Sequence, residues 1–449
     1  MTLKPRFSAR FFLAALCVCA AANATDGDYD TNWGDGGRLR IDVTSPGRDR
    51  LSSMFVQPDG KIVMSGTCTI SFPILCMTRL LPNGSYDPAF GPASHPGRVL
   101  ITDASGDLTM AGVARRGEDY VVFNTLVYPE DSTHAFGQVR IVTTTGVDLS
   151  PTSQNFNYPS YQAERLAVQP DGKVLLLGLV DTPAFVVSRL SANFDVDSVF
   201  GDGGTKEIRF PGAAVASASA MALQPDGKIV VVGRVDNKLY VVRLLPSGQL
   251  DDDPVVGFGD GGRSEFNLGG PGSYAEAVAI DRNGCIVIAG ATFTSSFDFA
   301  VNRLTPRGAQ DPGFNYTCVS TSSGISCSAR PNIVAFDLGG TSNDHAYAVA
   351  LQSDGRIVVG GLATRVAGVQ YFAAARLRRD GQLDLSFGDH GTTYGRYGAL
   401  DQNVDEADSV AITGGGIFVA GYSRLNEQDE PRFGIAKMKV DLIFADDFE

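Results

Sequence analysis

Histidine is almost missing from this chain: there are four in 449 residues, at His95, His134, His345 and His390. None stands in a His-Glu-x-x-His or similar ligand spacing, so zinc-hydrolase chemistry of that kind is excluded. No Gly-x-Ser-x-Gly segment occurs, which removes the nucleophile elbow. Basic residues are also short, 37 against 50 acidic ones for a formal charge of -13. A surface of that sign repels phosphates, which disfavours nucleic acid and anionic lipid as partners. After the first residues no stretch has the apolar length of a membrane helix, so no transmembrane anchor is expected.

The start of the chain reads as a targeting signal. Lys4, Arg6 and Arg10 precede the apolar run Phe11–Ala22, and Ala22-Asn23-Ala24 offers a small-residue cleavage site before Thr25. A lipoprotein signal fits less well, because Leu16 and Val18 before Cys17 and Cys19 are too bulky. Residues 1–24 are therefore assigned as a signal peptide, and the protein is expected to be secreted, periplasmic or on the outer cell surface. Five cysteines remain after cleavage. In an oxidising compartment Cys68 with Cys76 and Cys318 with Cys327 are expected to form disulfides, leaving Cys285 alone.

What the chain has in abundance is one phrase, repeated seven times. Its fullest form is Leu223–Gly233, followed by an apolar run ending in Arg-Leu and then by an Asp and Phe-Gly-x-Gly-Gly. Anchor glycines fall at Gly60, Gly117, Gly172, Gly227, Gly284, Gly355 and Gly415, and six residues beyond each stands another glycine, except at Phe123. Within a unit, Pro-Asp-Gly separates two β-rich runs, because Pro presets φ and Gly supplies φ > 0. Two further runs follow. Ile229–Val232 and Tyr240–Val242 are apolar on both faces, as in a sheet covered on both sides.

Units of this size cannot bury their faces alone and must stack on one another. The expected fold is all-β: a seven-bladed β-propeller with four-stranded antiparallel blades. The seventh unit ends without its fourth strand, and the missing segment stands at the other end as Tyr29–Gly37 followed by Arg38–Val43. The ring is thus expected to close with the N-terminal strand completing the last blade. A single propeller domain is assigned to residues 25–441, with a tail at 442–449.

The Gln-Pro-Asp-Gly-Lys turns at Gln57, Gln169 and Gln224, the Arg-Leu ends at Arg79, Arg189, Arg243, Arg303 and Arg376, and the pattern at Leu383–Gly388 resemble the delta-60 repeat family of exported bacterial proteins. The resemblance covers nearly the whole mature chain. It implies a propeller-like fold and no established activity for most members. The second unit departs furthest, with Ala114–Glu118 in place of the turn. The ending Ile443–Glu449 is similar to a short acidic-aromatic tail on exported proteins of some Gram-negative bacteria.

Repetition separates structure from function. Positions filled alike in most units, namely Gly60, Gly172, Gly227, Gly284 and Gly355, the five arginines, and Asp87, Asp197, Asp251, Asp311 and Asp384, belong to the blade. Each arginine is expected to pair with an aspartate or cap a loop in its own blade. No cofactor is expected. Calcium is the alternative, on alternating Asp26, Asp28 and Asp30, on Asp195 and Asp197, and on Asp251–Asp253, although none of these matches an EF-hand. Asp344 beside His345 is the only local pair resembling an acid–base unit, and it reads as loop polarity. A dispersed carboxylate site would draw on non-repeated acids such as Glu118, Glu164, Glu276 or Glu406.

The function expected is that of an exported, monomeric propeller binding or scaffold protein. It presents rim loops to an extracellular or envelope protein, a glycan or a surface component. A propeller glycan hydrolase or lyase and a purely structural envelope protein are the alternatives. The contacting residues are expected among what the repeat leaves out: the disulfide-closed loops, Trp33 and the irregular second unit. A polar pocket at the ring centre with converging non-repeated acids would favour the enzyme, and a filled channel the scaffold.

Overall fold

The computed structural model describes residues 26–440 apart from 45–46, 105, 129–130, 150–153, 157–161, 181, 271, 294–295, 322–323, 330–332, 337, 339–342, 367–368, 398–403 and 425–428. The signal-peptide assignment, the tail and parts of several loops therefore lie outside the described residues. Strands and turns account for the rest. No helix occurs among the described residues, and so none is long and apolar enough to cross a membrane.

The fourth unit shows how the repeat becomes a blade. Its strands are Ala216–Leu223, Ile229–Val235, Lys238–Leu244 and Arg263–Phe266, each antiparallel to the next. In the Gln224–Lys228 turn the Gly227 N–H donates to the Gln224 carbonyl (2.9 Å), and Gly227 adopts φ +81°, where a side chain is disfavoured. Gly60, Gly172, Gly284 and Gly355 share that conformation, with φ between +78° and +87°.

Alternation along the second strand divides its side chains between two cores. Ile229, Val231 and Val235 pack with Leu175, Leu177, Phe185 and Val187 of the third blade. Val230 and Val232 face Ile286, Ile288 and Ala300 of the fifth. Every such side chain leaves water completely or nearly so, worth about 1.5–3 kcal/mol each. A sheet buried on both faces has no stable life outside the stack, and this forces the seven-bladed β-propeller.

The seven first strands run Arg48–Val56, Asp107–Arg116, Gln162–Val168, Ala216–Leu223, Tyr274–Ile280, His345–Leu351 and Val404–Thr413. Each touches the first strand of the following blade, and the seventh touches the first. The seventh blade is Val404–Thr413, Gly416–Arg424, Arg432–Met438 and Arg38–Ile41, with Arg38 opposite Ala436 and Ile41 opposite Phe433. Phe418, Ala420, Phe433 and Ile435 then share a core with Leu51, Met54, Ile62 and Met64 of the first blade.

Two segments depart from the sequence reading. The segment around Cys318 and Cys327, read as a disulfide-closed loop, is a β-hairpin: Tyr316–Thr321 pairs with Gly324–Ala329, placing Cys318 opposite Cys327. The side chains of those two cysteines lie outside the described residues. Cys68 and Cys76 are disulfide-bonded and wholly buried, joining two adjacent strands of the first blade beneath its surface, so they offer nothing to a partner. The second departure is in the second unit, where Gly117-Glu118 makes a two-residue turn and Asn124 takes the register place of the second glycine. Phe123 was one position off.

Candidate functional site

The repeated residues build the seams between blades. The Arg Nε donates to an Asp eight residues on in five blades: Arg79 to Asp87 (2.8 Å), Arg189 to Asp197 (2.8 Å), Arg243 to Asp251 (2.7 Å), Arg303 to Asp311 (2.6 Å) and Arg376 to Asp384 (2.8 Å). Each guanidinium also lies over a following Phe, namely Phe90, Phe200, Phe258, Phe314 or Phe387, between 4.5 and 4.9 Å from the ring centre. The pairing within the blade is only half of the arginine's work. Its Nη1 reaches the next blade and donates to a turn carbonyl: Arg79 to Thr144, Arg189 to Pro246, Arg243 to Pro306 and Arg303 to Arg379.

The remaining seams are made by substitutes. Arg376 reaches the Asp26 carboxylate of the N-terminal segment. In the second blade Arg116, from the shortened turn, donates to Ala192 O and lies over Phe194. Trp33 stands where other blades have Phe, and its indole N–H donates to Pro82 O of the first blade (2.9 Å). Trp33 is 3% exposed. Trp33 and Arg116 of the irregular second unit, both in parts of the chain expected to make contacts, are therefore mortar in the ring.

Five of the eight aspartates of the calcium reading are engaged by cations or turn amides. Asp26 meets Arg376, Asp30 meets Lys437 at 2.8 Å, Asp197 meets Arg189 and Lys173, and Asp251 meets Arg243 and Lys228. Asp253 accepts the N–H groups of Val255 and Val256. No group of three His, Cys, Asp or Glu among the described residues is arranged to hold a metal.

The channel side of the blade is built differently. Every first strand carries one extra residue at the same place, skipped by the ladder: Ser52, Ala111, Glu164, Ser219, Glu276, Tyr347 and Asp408. A bulge leaves its residue unpaired and re-aims the side chain. The second repeated glycine makes room for it. A Cβ on Gly66, Gly290, Gly361 or Gly421 would come within 2 Å of the carbonyl of Arg50, Tyr274, His345 or Glu406 respectively.

Two of the bulged residues serve the ring, Ser52 donating to Met110 O and Ser219 to Ala275 O in the next blade. The larger ones face inward. Glu164, Arg165, Glu276, Tyr347 and Asp408, with Arg50 and Ser52, line a cavity of about 290 Å³ at the ring centre. A second cavity of about 230 Å³ shares Arg165, Glu276, Tyr347 and Asp408 and is otherwise bounded by small and apolar residues such as Ala220, Val278, Val349 and Val410. The two cavities adjoin at the bulged side chains, the larger forming an upper chamber and the smaller a lower one, and both are lined mainly by polar atoms.

The electrostatics are those of acids without enough partners. Burial pushes the Glu164 and Glu276 carboxyls above the usual range, Arg165 opposing it in both. Burial and then mutual repulsion push Glu406 up, while burial raises Asp408 against the weaker pull of Arg50 and Arg165. Burial and the same carboxylates push the Tyr347 phenol well up, and Tyr422 to about 12. Arg50 is 3.8 Å from Glu406 and lies 5.8 Å from the Tyr422 ring centre.

An aromatic strip leads to this chamber across the fifth and sixth blades. Phe293 packs on Phe297 (4.9 Å between ring centres), Tyr274 on Phe297 (5.7 Å), Phe297 on His345 (4.7 Å), and His345 stacks on Tyr347 at 5.8 Å and 8°. His345 is thus a ring in a stack. Its neighbour Asp344 is buried and accepts the N–H groups of Leu338 and Thr364, so the two form no acid–base unit.

Of the four acids named from sequence, the structure brings Glu164, Glu276 and Glu406 to the channel. Glu118 is exposed in a turn beside Arg115. Asp408, Tyr347, Arg50 and Arg165 were missed. A signal existed: Ser52, Glu164, Ser219, Glu276 and Tyr347 each precede their anchor glycine by eight residues, and the residue there changes from unit to unit.

Three segments, 57–90, 224–253 and 352–387, match the family model described as a domain of unknown function (DUF5122) beta-propeller. They contain the turn, arginine and aspartate of the first, fourth and sixth blades. No curated protein sequence matches the chain. Among solved structures it is similar to a protein of unknown function from Dyadobacter fermentans, at 10% identity over 90% of this chain and 98% of that one, with a TM-score of 0.44. It is also similar to an ulvan lyase of polysaccharide lyase family PL25, at 10% identity over 91% and 94% with a TM-score of 0.45. The NanB sialidase from Streptococcus pneumoniae follows, at 9% over 90% and 70% with a TM-score of 0.39.

Proposed function

We propose that this is an exported β-propeller that binds a glycan at the mouth of its central channel. One observation carries the reading. The shared first-strand bulge, which turns Glu164, Glu276, Tyr347 and Asp408 toward the chamber, is also where the repeat varies, and an aromatic strip ends there at Tyr347. Sugar rings present apolar faces that stack on aromatic side chains and hydroxyls that bond to carboxylates and arginine, and this site offers both. The buried disulfide and the targeting signal read from the sequence support export.

The enzymatic reading has its own support in Glu406 and Asp408. Two neighbouring carboxyls with raised proton affinity are groups suited to general acid–base work on a glycosidic bond. One experiment tests both. Mature protein is screened against an oligosaccharide array with and without a chelator, and bound oligosaccharides are then assayed for new reducing ends or unsaturated products. Binding lost in Tyr347→Ala and Phe297→Ala supports the channel site. Binding that survives both changes, or the absence of any oligosaccharide binding, refutes it. Product formation abolished by Glu406→Gln would make the protein an enzyme, and loss of binding in chelator alone would assign it calcium.

A further inference from the structure

We propose that the channel selects an amine-bearing glycan, of the glucosamine type, over neutral and acidic ones. The proposal rests on the glycan reading above and concerns the same site. Its warrant is the charge left over in the upper chamber. Glu164, Glu276 and Asp408 line it and Glu406 adjoins it, against only two cations, Arg50 and Arg165.

Neither cation answers the deepest acids. Arg165 is turned back on its own strand, its Nη1 donating to the Glu164 carbonyl at 2.8 Å and lying 3.9 Å from the Glu164 carboxylate. Arg50 is largely exposed and directed to Glu406 and the Tyr422 ring. Among the described residues no hydrogen bond or ion pair reaches the carboxylates of Glu276 or Asp408. Asp408 Oδ2 in particular is shut off from solvent with no partner.

A sequestered carboxylate without a partner is costly, and what relieves that cost best is a positive charge with protons to donate. A sugar hydroxyl supplies the protons without the charge. A uronate or sulfate would add a like charge and be repelled. An ammonium on a pyranose supplies both while its ring rests on the aromatic strip. The strip also argues for a sugar over a simple cation, because the run of rings from Phe293 through Phe297 and His345 to Tyr347 is longer than one ammonium can cover and suits a chain of sugar faces.

The test is calorimetric binding of three oligosaccharides matched in length, namely glucosamine, N-acetylglucosamine and glucuronate oligomers, with trilysine as a non-sugar amine. Glucosamine oligomers should bind about tenfold or more tighter than the acetylated ones, and the preference should shrink at high salt. Glucuronate oligomers should not bind. Glu276→Gln and Asp408→Asn should each remove most of the preference, read as the ratio of the two affinities; a ratio unchanged in both variants would overturn the proposal, with melting temperature confirming the fold. Equal binding of free and acetylated oligomers would overturn the proposal and leave the glycan site standing. Trilysine binding as tightly as the glucosamine oligomer would overturn the sugar, and binding of none of the oligosaccharides would remove the site itself.

Discussion

The two ends of a blade handle buried charge in opposite ways. At the end with the Pro-Asp-Gly turns, each buried aspartate is met by an arginine in a fixed geometry, and the arrangement recurs with little change. Burial there pushes Asp87, Asp197 and Asp384 up, but the arginine, lysine and hydrogen-bond partners prevail and hold them below the usual carboxylate range. At the channel three of the four acids occupy bulges, they change from blade to blade, and all four are held above that range. Compensated charge marks what the fold needs. Uncompensated charge, kept in a fold that already knows how to compensate it, marks what the fold is for.

The contrast is most directly broken at Arg243. Arg243→Ala leaves the buried Asp251 with Lys228 as its remaining cation and cuts the tie to Pro306, so it should cost about 3 kcal/mol in denaturant unfolding. An unchanged melting temperature would mean the seams are ornamental. Next comes Gly361→Ala, whose Cβ would meet the His345 carbonyl at 1.8 Å. About 1–3 kcal/mol should be lost, and Tyr347 should be displaced, detectable as loss of ligand binding beyond the loss of stability. Trp33→Phe keeps the ring and removes the donor to Pro82 O. A loss of about 1 kcal/mol is expected, since the carbonyl is left without its partner.

The smallest effect has the opposite sign. Glu406 has a folded-state proton affinity above its unfolded value, so it costs nothing at low pH and destabilises as pH rises through its folded pKa. Glu406→Gln should therefore raise the melting temperature at about pH 8 more than at about pH 5. The seam aspartates run the other way, their stabilisation present above the unfolded pKa and lost on acidification through the folded pKa. A Glu406→Gln gain that is equal at both pH values would show the channel acids to be ordinary surface groups.

The strands, the seven units and the identity of the repeated arginines were legible because periodicity and turn chemistry are local. The bulges were not. One extra residue in a strand leaves the apolar pattern on either side intact, and only pairing across the sheet reveals that Glu276 or Tyr347 has been turned inward. Trp33 misled for a related reason. A lone large aromatic outside the common phrase looks available, yet it fills the place of Phe258 in another blade and reaches the same kind of carbonyl. Asp408 and Glu406 stand two residues apart and share a face by simple alternation, but nothing local says that this face looks into the channel.

The seams carry one more implication. In six of them the receiving atom is a main-chain carbonyl, at Pro82, Thr144, Ala192, Pro246, Pro306 or Arg379, and such an oxygen is supplied by any amino acid. A blade can accept its neighbour whatever the neighbour's side chains are. Genetic duplication of a unit would thus yield a copy that docks at once, and its bulged position would be free to diverge from the first generation.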